Sequence, residues 1–117
     1  MSDLQPRNER RRFQRYSVRC DCWLEQDALT LYGTTADLGL GGLFLRSAVP
    51  MADGSPVEVV LNVAGTGQPI VAHGLVTRAV RAGRGARHGI GVRFEKIVQG
   101  HDALTSFLSG APFGLAP

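Results

Sequence analysis

Hydrophobic and polar residues alternate along most of the chain. In the first alternating run, which starts at Ser17, the apolar side is formed by Val18, Cys20, Cys22 and Leu24. A period of two is typical of a strand with one buried face. Five further runs of strand character, separated by glycine- and proline-rich turns, lie within residues 29–42, 42–50, 57–65, 70–82 and 88–97. Gly74 interrupts the fifth of the six runs, where we expect a β-bulge.

The period changes after Gly100. Leu104, Phe107 and Leu108 then share one face of a helix, which the sequence predicts to end at Gly110. Six short antiparallel strands followed by a helix predict a small all-β barrel or sandwich. A closed barrel removes exposed strand edges, and the helix would cover one open end.

The length of 117 residues fits one domain, which we place at residues 9–110. Residues 1–8 and 111–117 lack periodicity and are predicted to be disordered tails. No apolar run is long enough to span a membrane, and the N-terminus lacks the apolar segment of a signal peptide. These features predict a cytoplasmic protein, in which Cys20 and Cys22 are reduced core residues.

The charge pattern favours an anionic partner. The net charge is +3, and arginine supplies twelve of the thirteen basic side chains. The guanidinium group is a planar fork that grips phosphates and guanine edges. A net charge of +3 is nevertheless too small to require a long nucleic acid.

No pattern for catalysis is present. The three histidines, His73, His88 and His101, lie without metal-ligand spacing. No serine lies in a nucleophile elbow, and the glycine-rich stretches lack the strand–turn–helix setting of a dinucleotide site. The sequence therefore predicts a protein that is not an enzyme and has neither a metal nor a cofactor.

Two short stretches carry the candidate chemistry. The arginine motif, residues 11–15, places Arg11 and Arg15 four residues apart, where both can reach one phosphate or the O6/N7 edge of a guanine. The glycine motif, residues 37–42 (DLGLGG), begins with Asp37, whose carboxylate can accept from guanine N1–H and N2–H₂. Its glycines allow the backbone to turn and to approach a flat ligand. The two motifs together indicate a site for a doubly anionic guanine nucleotide.

In this order, the motifs resemble the paired signature of the PilZ domain family, RxxxR followed by (D/N)xSxxG. Arg11 and Arg15 match the first signature, and Asp37 and Gly42 match the ends of the second. The resemblance extends over residues 9–109 and implies a six-stranded antiparallel β-barrel with a short C-terminal α-helix. It also implies that the ligand is the bacterial second messenger cyclic di-GMP, held by Arg11, Arg15 and Asp37.

Two positions near the signature modify this expectation. Arg10 can stack on a guanine face, which would favour two intercalated ligand molecules. Gly39 stands where the family has serine, so one hydrogen bond is missing, worth about 0.5–1.5 kcal/mol or about three- to tenfold in affinity. Gly39→Ser should recover that affinity unless position 39 requires a left-handed backbone.

The preferred function is thus a non-enzymatic receptor or adaptor in signal transduction. In this interpretation, an arginine-bearing linker closes over cyclic di-GMP and changes the surface presented to a protein partner. The alternative is an adaptor of the same fold that does not bind the nucleotide. A weak nucleic-acid binder is a third possibility and a less favoured one. Phe13 is expected to anchor the linker on the barrel, whereas Trp23 is either covered by the helix or a tail or part of a partner surface.

Overall fold

The computed structural model describes residues 13–47, 49, 51–63, 67–80 and 89–110. Its elements, in chain order, are β1 (Arg15–Tyr16), β2 (Asp21–Gln26), β3 (Leu29–Gly39), β4 (Gly42–Arg46), β5 (Pro56–Asn62), β6 (Ile70–Val80), β7 (Gly89–Gln99) and α1 (His101–Gly110). Both predicted tails, Arg10, Arg11 and the predicted turn at 83–87 lie outside the described residues.

Six of the strands form a closed antiparallel barrel. Neighbouring strands follow the order β3–β2–β5–β6–β7–β4, and β4 pairs with β3 to close the ring. β1 adds to β3 as a short extra strand. The predicted barrel and its C-terminal helix are confirmed. The bulge expected at Gly74 is also confirmed, because the register between β6 and β7 shifts between His73 and Gly74.

The core is the inside of the barrel. Cys22 and Leu24, from the apolar side of the first run, are fully buried there. Leu104 and Leu108 of α1 are buried as well, as the helical spacing predicts. Both cysteines are free thiols, and burial raises the pKa of Cys22 to about 12, so its thiol stays protonated and unreactive at neutral pH.

A β-bulge divides β3 into two halves. Thr35 pairs with Leu45 of β4, but Asp37 pairs with Phe44, so Ala36 is an extra residue opposite the β4 backbone. Side chains two apart in a strand normally share a face. The extra residue breaks this rule, and the remainder of β3 is therefore turned relative to its first half.

Thr35 joins the linker after β1 to the first half of β3, next to the bulge. Its buried hydroxyl accepts from the Cys20 backbone N–H at 2.9 Å and donates to the Val18 carbonyl at 2.7 Å. The Thr35 N–H also donates to the Cys20 carbonyl at 3.0 Å. The sequence predicted a strand from Ser17 onwards, whereas β2 begins at Asp21 because this side chain replaces regular pairing in residues 18–20.

β1 lies unusually close to the end of β3. Arg15 pairs with Gly39, and Tyr16 pairs with Leu38. A Cβ atom at Gly39 would overlap the Gln14 carbonyl oxygen. Gly39 is not among the residues with positive φ, so the left-handed backbone considered above is not the obstacle to a side chain here. The obstacle is the neighbouring main chain.

Thr35→Val should lower the free energy of unfolding by about 1–3 kcal/mol, because the buried Cys20 N–H and Val18 carbonyl lose their partner. Denaturant unfolding measures this change. Thr34→Val is the matched control, since Thr34 is partly exposed, and it should stay within about 0.5 kcal/mol of the wild type. Equal stability of the two variants would contradict a linking role for Thr35.

Gly39→Ser should lower the free energy of unfolding by about 1–3 kcal/mol, since the new Cβ must push the Gln14 carbonyl away. Amide exchange in residues 15–17 should quicken at the same time, because β1 separates from β3. Gly110→Ser is the control, as a Cβ built at Gly110 meets nothing within 4 Å. If Gly39→Ser unfolds at the same temperature as Gly110→Ser and amide exchange at β1 stays slow, the close approach of Gly39 to the Gln14 carbonyl does not affect stability.

Candidate functional site

The bulge in β3 determines where Asp37 points. Thr35 is fully buried, and Leu38 is fully buried too, although the two are three residues apart. Asp37 therefore lies on the outer side of the barrel, where its side chain is 19% exposed. Without the bulge, Asp37 would share the inner face with Thr35.

Arg15 and Asp37 form an ion pair that joins the ends of the two motifs. Arg15 Nη1 lies 3.2 Å from Asp37 Oδ1, and the Arg15 side chain is 18% exposed. A carboxylate has about four acceptor positions on its two oxygens, and this contact occupies one of them. Arg15 thus fixes the orientation of the carboxylate and leaves acceptor capacity facing outwards.

Gly42 provides the space into which Arg15 extends. A Cβ atom at Gly42 would lie 2.9 Å from Arg15 Nη2 and would overlap the Val92 carbonyl oxygen. A side chain at this position would displace either the guanidinium group or the β7 backbone. Gly42 is therefore needed for packing between strands, independently of any ligand.

The remaining glycine of the motif holds the start of the described linker. The Phe13 ring lies over Gly41, with Cδ2 2.7 Å from the position that a Cβ would take. The Gly41 carbonyl accepts from the Phe94 N–H at 2.9 Å, which ties the motif to β7. Phe13 is 48% exposed, so it packs on the barrel with one face, as an anchor of the linker would.

Four of the six predicted site residues are thus brought together at the end of β3: Arg15, Asp37, Gly39 and Gly42. The other two, Arg10 and Arg11, lie outside the described residues. Neither sequence motif includes Arg93, although it pairs in register with Gly42. Alternation puts Arg93 on the outer face of β7, but only the strand order shows which residue it faces.

The described part of the chain lacks two other kinds of feature. There, no three His, Cys, Asp or Glu side chains cluster as ligands for a metal ion. Among the same residues, no helix is long and apolar enough to cross a membrane.

Comparison with solved structures shows the same fold in several bacterial proteins. The inhibitor of motility from Bacillus subtilis (MotI/DgrA) matches with a TM-score of 0.72 at 14% identity, covering 92% of this chain. The chain spans only 56% of that protein's length. The PilZ domain of YcgR from Escherichia coli, solved with c-di-GMP, matches with a TM-score of 0.61 at 23% identity, covering 86% of this chain and 90% of that domain.

A further match is a PilZ domain protein from Xanthomonas campestris that assembles as a tetramer. It has a TM-score of 0.52 at 22% identity and covers 73% of this chain and 47% of that one. No curated protein sequence matches the chain significantly. The family model for the PilZ domain matches residues 9–110. With the barrel, its C-terminal helix and nearly the whole chain accounted for, this protein belongs to the PilZ domain family.

Proposed function

We propose that this protein is a non-enzymatic receptor that binds cyclic di-GMP on the outer face of the barrel, at the end of β3. The observation that carries the proposal is the ion pair between Arg15 and Asp37, 3.2 Å apart, which brings the two motifs to one place. Arg10 and Arg11 would act from the residues before β1. Structures of YcgR with c-di-GMP, which share this fold, support the same ligand.

Recognition of guanine follows from the partly exposed carboxylate. Guanine presents N1–H and N2–H₂ side by side, and the two oxygens of Asp37 can accept from both. Arg15 continues to occupy one lone pair of Oδ1, so the ligand need not break the ion pair. The same guanidinium group has further N–H donors for the phosphate or for guanine O6/N7.

Signalling would follow from ligand contacts across the linker and the barrel. A molecule held between residues 10–15 and Asp37 fastens the linker to β3 and changes the surface that a protein partner meets. We place this receptor and its protein partner in the cytoplasm. A membrane or a nucleic acid is not the proposed partner.

Gly39 supports the rival function, a PilZ-fold adaptor that does not bind the nucleotide. The missing serine hydroxyl removes one ligand contact, and the Gln14 carbonyl occupies the space where that side chain would be. One neutral hydrogen bond is worth only about 0.5–1.5 kcal/mol, so its loss weakens a site that has several charged contacts without abolishing it.

Calorimetric titration with cyclic di-GMP separates the two functions. Saturable binding at micromolar ligand supports the receptor function. The absence of any heat of binding at about 1 mM ligand supports the adaptor function.

Arg15→Ala and Arg11→Ala should each weaken cyclic di-GMP binding by about 1.5–3 kcal/mol, as expected for charge-assisted hydrogen bonds. Calorimetry gives the affinities, and thermal unfolding shows whether the barrel stays intact. Lys96→Ala removes one positive charge from an exposed position of β7 and serves as the control. Normal binding by both arginine variants would show that the arginine motif is not part of the site.

Cyclic di-AMP should not compete with cyclic di-GMP, because adenine has no N1–H to donate to Asp37. Displacement of a fluorescent cyclic di-GMP derivative measures this selectivity. A random oligonucleotide is the second competitor, and its binding would fall steeply with salt if many phosphates were neutralised. Equal competition by either molecule would reject a guanine-specific pocket.

A further inference from the structure

A second described arginine borders the glycine motif from the opposite side. Arg93 lies in β7 between Val92, which is fully buried, and Phe94, which is 9% exposed. Since side chains alternate along a strand, Arg93 projects from the outer face, and it is exposed. The same outer face carries Asp37. An arginine therefore stands on the barrel wall next to the candidate site.

The register places the two arginines symmetrically about the motif. Arg15 of β1 pairs with Gly39, the third residue of the motif, and Arg93 of β7 pairs with Gly42, its last residue. The position of a Cβ at Gly42 lies 2.9 Å from Arg15 Nη2 and 3.2 Å from Arg93 Cα. Because Gly42 has no side chain, nothing at position 42 separates the Arg15 guanidinium group from the backbone that carries Arg93.

Among the described residues, the charges at this end of β3 are balanced until Arg93 is counted. Arg15 is paired with Asp37, so these two side chains together contribute no net charge. Cyclic di-GMP carries two negative phosphates. In the described part of the chain, Arg93 forms no ion pair, and its guanidinium group is available to an anion. Among the basic side chains that the structure describes, Arg15 and Arg93 are the two that pair in register with the glycine motif.

On these grounds we infer that Arg93 is a ligand-binding residue, which contacts a phosphate of the nucleotide from the barrel wall. The inference rests on the proposed function and adds to it a contact that neither motif contains. Part of the phosphate binding then comes from a strand of the closed barrel instead of the linker. Arg15 orients Asp37 towards guanine, and Arg93 adds a second described cation that meets the charge of the ligand.

Arg93→Gln should weaken cyclic di-GMP binding about tenfold, as expected for loss of one charge-assisted contact that is partly screened by solvent. Its affinity should also depend less on salt than that of the wild type. Lys96→Gln is the matched control, because it removes the same charge from another exposed position of β7, and it should bind within twofold of the wild type. Calorimetric titrations at two salt concentrations measure both effects.

Arg15→Ala, measured in parallel, separates the two proposals. If Arg15→Ala loses affinity while Arg93→Gln binds like Lys96→Gln, the inference about Arg93 is wrong and the proposed function stands. If the wild type binds no cyclic di-GMP, both are wrong. Arg93→Lys covers the case in which glutamine unfolds the barrel. Lysine keeps the charge but lacks the planar guanidinium fork, so this variant should weaken binding only about two- to fivefold. Wild-type affinity with wild-type salt dependence in this variant would argue against a directed contact by Arg93.

Discussion

One extra residue in β3 is the constraint on which the site depends. Ala36 has no partner residue of its own on β4, and the pairing resumes one residue out of step. The first half of β3 can therefore bury Thr35, while the second half buries Leu38 and turns Asp37 outwards. On the other edge of β3, the Thr35 hydroxyl forms hydrogen bonds to the backbone of the linker after β1. The bulge thus separates the half of β3 that builds the core from the end of β3 that can contact a ligand.

The glycine motif acts through close contact between backbones. At Gly39 the neighbour is the Gln14 carbonyl, and at Gly42 it is the Val92 carbonyl, so the motif is enclosed by β1 on one side and β7 on the other. At position 39, this close contact accompanies the replacement of the family's serine by glycine. The chain lacks a hydroxyl there, and β1 instead lies against the end of β3. Arg15, the residue after Gln14, is thereby held by strand pairing as well as by Asp37.

The sequence predicts what depends on local pattern. Alternation, β-branched content and bounding turns identified the six barrel strands, the change of period identified α1, and paired motifs pointed to the end of β3. The predicted start of β2 was wrong because the Thr35 hydroxyl replaces strand pairing before Asp21. No local sequence pattern marks such a replacement. Arg93 was not assigned to the site because its neighbour Gly42 lies 51 residues earlier in the chain, and the barrel register brings the two together.

β1 differs from the other strands in how little holds it. It contains two residues, whereas β3, β6 and β7 each contain eleven and belong to the closed ring. Short elements with few contacts open at a small fraction of the free energy that unfolds a whole domain. β1 can therefore detach and return many times during the lifetime of one folded barrel. Opening of these two residue pairs would then contribute to the release of a molecule bound across this boundary, without unfolding of the barrel.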